Sequence, residues 1–145
     1  MDLGSFTGIR IGIATVLSFC DVLHIHCSPA SSLEALAYIP NIHNKYICPV
    51  IPEKNNSCFF ALYSLAENNS LETIVIPQVG DISSFKDILK DYPNITFIEN
   101  AKHTAYHTGL AGFYKYINNI VEPIQPLYLK KPQAQIQLEE KNNEN

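Results

Sequence analysis

The feature that most constrains this chain is an alternation. Short apolar runs of strand length are separated by segments whose apolar residues recur at helical spacing. Residues 22–27, 45–50, 73–76 and 95–98 read as strands, each bounded by turn residues such as Ser28, Pro29, Pro77 and Pro93. Between them, residues 33–37, 57–66, 84–91 and 109–120 read as helices, and so do residues 10–19, although periodicity leaves residues 8–19 open to a strand as well as a buried helix. In residues 57–66, Phe60, Ala61, Leu62, Leu65 and Ala66 fall at helical spacing, and Asn68 and Asn69 follow. Phe85, Ile88 and Leu89 form a second stripe, opened by Ser83 or Ser84 and closed at Tyr92, Pro93 and Asn94. Phe113, Tyr114 and Ile117 mark a third. Strands alternating with helices imply parallel pairing through crossover helices. The expectation is a single three-layer α/β domain with a mostly parallel sheet flanked by helices.

At 145 residues the chain fits one domain. Residues 1–122 are assigned to it. Residues 123–145 carry Pro123, Pro126 and Pro132, then mainly Gln, Glu, Lys and Asn, and read as a loosely ordered C-terminal tail. Hydrophobic residues are 46% and charged residues 17%, a globular composition. The net charge is −4 and the only arginine is Arg10. This balance argues against strong nucleic-acid binding, which needs many Lys and Arg contacts to phosphate.

The longest apolar run, residues 11–20, has ten residues, whereas a membrane span needs about 20. Asp2 precedes it and Asp21 closes it, so neither a span nor a secretory signal is expected, and the location reads as cytoplasmic. Cys20, Cys27, Cys48 and Cys58 contain no C-x-x-C pair. They read as buried hydrophobes in a reduced protein, with a disulfide framework or a zinc site as lesser readings. No metal or other cofactor is expected. Sequons at Asn55, Asn68 and Asn94 are what chance gives in a chain rich in Asn.

In a parallel α/β sheet, ligands bind where strands end and helices begin. Two loops answer that description, residues 27–32 and residues 77–84. Free N–H groups at a helix N-terminus suit a phosphate or carboxylate. Gly80 permits close backbone approach or a positive φ. Ser28, Ser31, Ser32 and Ser83 add hydroxyl donors, and Asp81 offers an acceptor for a ribose hydroxyl or an adenine amine. Ordinary turn and capping chemistry accounts for the same residues.

Residues 62–66 and 71–80, with the strand ending Ile76-Pro77-Gln78-Val79-Gly80, resemble a macrodomain segment. Residues 45–47 resemble the strand before it, and residues 22–27 stand where the family has an early strand. Macrodomains are α/β folds that bind ADP-ribose, and some remove it from proteins. The resemblance implies that Val79, Gly80, Asp81 and Ile82 face the phosphates, with Ser28, Ser31 and Ser32 in place of a glycine loop. It implies a small nucleotide ligand or an ADP-ribosylated protein as partner. The family's early asparagine and its glycine loop are missing, and Asp81-Ile82 follow Gly80. A binding module with weak or no hydrolysis is therefore expected, catalytic residues stay unassigned and enzyme status stays open. The alternatives are a nucleotide-sugar-binding, glycosyltransferase-type domain and a non-enzymatic interaction domain with a degenerate pocket.

His103 and His107 are four apart, which on a helix places both on one face. A metal or proton-transfer role stands beside the plainer one of structural histidines. His24 and His26 alternate on the expected first strand and read as a core pair. Phe113, Tyr114 and Tyr116 read as core packing before a stacking platform.

Overall fold

The computed structural model describes residues 6–39 and 44–129. The first five residues, residues 40–43 and residues 130–145 of the expected tail lie outside the described residues. The fold is a single α/β unit with a mixed four-stranded sheet flanked by helices. Its elements are α1 (Phe6–Leu23), α2 (Ser32–Ala37), β1 (Tyr46–Pro52), β2 (Ser57–Leu65), β3 (Leu71–Asp81), α3 (Ile82–Leu89), β4 (Ile95–Ile98) and α4 (Ala105–Ile117). The strand order is β3-β2-β1-β4.

The sheet is not mostly parallel. β1 pairs with β2, and β2 with β3, antiparallel; only β1 and β4 run parallel. The reason lies in residues 57–66, which form a central strand and not a helix. Asn55 and Asn56 both take left-handed φ, at 59° and 58°. That conformation suits a tight hairpin and is tolerated by Asn. It turns the chain back so that Ile51 faces Phe59 and Pro52 faces Cys58. A second reversal follows at Ala66–Ser70. There Asn69 has φ 60°, and the Asn68 side-chain oxygen accepts hydrogen bonds from the Ser70 amide and hydroxyl at 3.1 and 2.7 Å. β3 then runs back along β2 as an edge strand, where Pro77 is tolerated.

Because β2 is covered on both faces, its apolar residues do not alternate with polar ones. Phe59, Ala61 and Tyr63 join Leu33, Leu36, Ile47 and Ile51 on the face covered by α2. Cys58, Phe60 and Leu62 join Cys48, Phe85 and Leu89 on the face covered by α3.

Residues 22–27 are not a strand either. α1 runs through Leu23 and stops at His24, which has φ 52°. The His24 amide donates to the Asp21 carbonyl at 3.3 Å and the Ile25 amide to the Cys20 carbonyl at 3.0 Å. This double bond pattern is a Schellman stop. A strand needs a neighbour to complete its ladder, and among the described residues none lies beside residues 25–30. Val22 and Ile25 are 74% and 55% exposed. α1 itself leaves Ile11, Phe19 and Leu23 exposed. Among the described residues no helix is long and apolar enough to cross a membrane.

Candidate functional site

A cavity of about 790 Å³ lies between α1, the start of α2, one face of the sheet and residues 122–129. Ile9, Ile13 and Val16 of α1 form one wall; Ile51, Phe59 and Tyr63 form the floor; Ile124, Leu127 and Leu129 close the far side. The Arg10 Nε donates to the Tyr128 hydroxyl at 2.7 Å, and its guanidinium lies over the Tyr128 ring. That contact joins α1 to residues 122–129.

The polar end of the cavity is built on α2. Ser31 is its N-cap: the Ser31 hydroxyl accepts from the Glu34 amide at 3.1 Å, and Glu34 accepts from the Ser31 amide at 2.7 Å. This is a capping box, and it holds the Glu34 carboxylate in place. Lys115 of α4 meets Glu34 at 2.5 Å and Glu122 at 2.6 Å, and donates to the Pro29 carbonyl at 3.1 Å. Burial pulls the Lys115 ammonium down, but its bonds to Glu122 and Glu34 more than offset this and raise its pKa overall. Burial above all, with Glu34 nearby, pushes the Tyr63 phenol well up. Glu34, Glu53 and Glu122 all line the cavity, and Lys115 is not among its lining residues. Such a field disfavours a diphosphate.

The structure separates the residues that the sequence reading grouped. Ser31 and Ser32 line this cavity. Ser28 lies against α4, where a Cβ added to Gly112 would sit 3.5 Å from the Ser28 carbonyl oxygen. Residues 77–81 are not a loop: Val79, Gly80 and Asp81 pair with Phe59, Cys58 and Ser57 inside the sheet. Gly80 has no positive φ, and a Cβ there would meet Phe60 and Ser84 at an ordinary 3.8 Å. It therefore faces the α3 side, while Ser31 caps the helix on the opposite face. Ile82 and Ser83 open α3. The carboxylate of Asp81 caps that helix, accepting from the Ser84 amide at 2.8 Å and the Ser83 hydroxyl at 2.7 Å.

Those bonds hold the Asp81 carboxyl below its ordinary value, the Ser84 amide contributing most. A depressed carboxyl stabilises the fold above the unfolded-state value of about 3.9 and loses that contribution as pH falls through the lower folded value. Carboxyl carbon shifts followed by NMR are expected to show Asp81 titrating below the unfolded-state value of about 3.9.

His103 and His107 do not share a helix face, because α4 begins at Ala105 and His103 precedes it. His107 Nδ1 accepts from the Thr104 amide at 3.1 Å and serves the helix cap. Among the described residues no group of three His, Cys, Asp or Glu is placed to hold a metal. Tyr114 stacks on Tyr38 at 5.5 Å, while Phe113 and Tyr116 are exposed. The Lys115–Glu34–Glu122 cluster is not marked by any motif read in the sequence analysis. The S-x-x-E pattern from Ser31 to Glu34 was its one local signal.

No protein-family model matches the chain. A curated protein does match. Over 88 residues, 61% of this chain, it is 31% identical to the tRNA threonylcarbamoyladenosine biosynthesis protein TsaB of Bacillus subtilis (strain 168). The chain spans 38% of that relative's length. Among solved structures, YeaZ from Pseudomonas aeruginosa matches with a TM-score of 0.60 at 19% identity, over 86% of this chain and 70% of that one. An uncharacterized protein with similarity to peptidase YEAZ from Pseudomonas aeruginosa matches at 0.63 and 16% identity, over 88% and 69%. These two likenesses show the fold.

The macrodomain resemblance is overturned by these matches. ADP-ribose binding, the nucleotide-sugar and degenerate-pocket alternatives, and a small nucleotide or ADP-ribosylated protein as partner go with it. Its most persuasive stretch, residues 62–80, is a β2–β3 hairpin, whereas the resemblance required a helix followed by a strand.

Proposed function

We propose that this chain serves the biosynthesis of threonylcarbamoyladenosine in tRNA, as a TsaB-type protein. The observation that carries the reading is the 31% identity to TsaB over 88 residues. The fold shared with YeaZ across most of the chain supports it. The composition bears on how the chain takes part. With a net charge of −4 and Arg10 as its only arginine, it is poorly suited to holding the phosphate backbone. Its contribution is therefore proposed to run through other proteins of the modification system. A location in the cytoplasm, where tRNA is processed, fits this role.

The test is supplementation. Extract from B. subtilis cells depleted of TsaB is given unmodified tRNA, with or without the purified chain. Digested tRNA is then assayed for threonylcarbamoyladenosine by mass spectrometry. The nucleoside is expected to accumulate only when the chain is added. An unchanged yield, with the chain folded and the B. subtilis protein active in the same extract, would reject the reading.

A further inference from the structure

The cavity between α1 and the sheet has no part in the role proposed above, yet it is built as a small-molecule site. Such sites are concave, mainly apolar and about 300–1,000 Å³ in volume, with a few polar groups that fix the orientation of the ligand. This one holds about 790 Å³. Ile13, Val16, Phe59, Ile124 and Leu127 supply apolar walls from three separate parts of the chain. Two of those parts, α1 and residues 122–129, are joined by the bond from Arg10 to Tyr128. On α1, Gly12 lines the cavity, and a Cβ there would meet nothing within 4 Å. The space beside it is therefore open to a ligand.

The charges on the lining have one sign. Glu34, Glu53 and Glu122 line the cavity, and among the described residues no Lys, Arg or His does so. Lys115 lies outside the lining and contacts both Glu34 and Glu122. Two carboxylates thus share one ammonium, and that end of the cavity keeps a net negative charge. An anionic amphiphile such as a fatty acid would bring its head group against this field. A wholly apolar guest would cover the carboxylate end without a counter-charge. A guest with a hydrocarbon body and a cationic head suits both the walls and the charge.

We propose that the cavity binds a small aliphatic amine, its chain along the apolar walls and its ammonium at the α2 end, beside Glu122 and Glu34. Glu122 is the more accessible of the two carboxylates, with its side chain 45% exposed against 14% for Glu34. It is therefore the main contact for the head group. Binding of the amine needs no tRNA, so this proposal and the tRNA reading fail separately.

The full-length chain is titrated by calorimetry at neutral pH with decylamine and, separately, with decanoate. Decylamine is expected to bind with a dissociation constant on the order of 100 µM, and decanoate at least about tenfold more weakly. Glu122→Gln removes the excess negative charge and should narrow that preference about fivefold. Gly12→Trp fills the open space and should abolish decylamine binding. Whether or not that variant folds, NOEs in the parent chain from the decyl group to the Ile13 and Val16 methyls are expected and place the guest. No heat at about 1 mM decylamine, decanoate binding as tightly as the amine, or an unchanged preference in Glu122→Gln would overturn the proposal. So would full affinity in a folded Gly12→Trp chain, or NOEs only to residues outside the cavity.

Discussion

Replacing Phe60 with alanine is expected to lower the unfolding free energy by about 4 kcal/mol, the range for truncating a buried aromatic. Phe60 is 1% exposed and meets Phe85 edge-on, with ring centroids 5.1 Å apart. Its neighbour Phe59 is 7% exposed but belongs to the cluster on the opposite face. Phe59→Ala is therefore expected to cost about 3 kcal/mol through separate contacts. Because the sheet lies between the two side chains, the effects of Phe59→Leu and Phe60→Leu should add to within about 0.5 kcal/mol. Urea denaturation of the single and double leucine variants measures this. A coupling well above that limit would mean the two rings share one pocket, contrary to a strand that sends adjacent residues to opposite faces.

Loss of the Lys115 ammonium is the second large effect. Its side chain is 10% exposed and that of Glu34 14%, while Glu122 is 45% exposed. Lys115→Ala leaves Glu34 with its charge poorly solvated, and the expected cost is about 3 kcal/mol, the lower end for breaking a buried pair. Glu122→Gln should cost less than about 1 kcal/mol, because water already screens that partner. The pH dependence has a definite sign. The folded-state pKa of Lys115 is raised, so its stabilisation is complete below the unfolded value of about 10.4 and is lost as pH rises through the folded value. Urea denaturation at pH 7 should show the full difference between the parent chain and Lys115→Ala. A difference under about 1 kcal/mol would remove the cluster from the forces that join α2, α4 and the segment at Glu122.

How far the sequence could be read follows from the same residues. The Ser31-capped α2, β4 and the apolar stripe of α3 are legible because each carries its own local signal, a capping pattern, a short apolar run or helical spacing, whereas periodicity leaves α1 open between strand and helix and its end at Val22 and Leu23 reads as strand. Residues 57–65 were not. A strand buried on both faces is apolar at every position, and Phe60, Ala61, Leu62 and Leu65 then match helical spacing as well as any helix. The deciding information was the pair Asn55-Asn56, whose left-handed φ values turn the chain into a hairpin. Without that hairpin the same apolar runs imply a parallel topology and a ligand loop at Gly80, where the structure has a paired edge strand. Residues 22–27 failed for the opposite reason. Their composition suits a strand, but strand structure depends on a neighbour, and among the described residues none is beside them. Tyr63 and the Lys115 cluster join residues far apart in sequence, so no local pattern could assemble them.

The most direct measurement is made in cells. B. subtilis depleted of its TsaB is made to express this chain, and threonylcarbamoyladenosine per tRNA is quantified by mass spectrometry of digested total tRNA. The account predicts recovery of the nucleoside toward the undepleted amount, in proportion to the level of the chain. A tRNA pool that stays unmodified while the folded chain accumulates would contradict it.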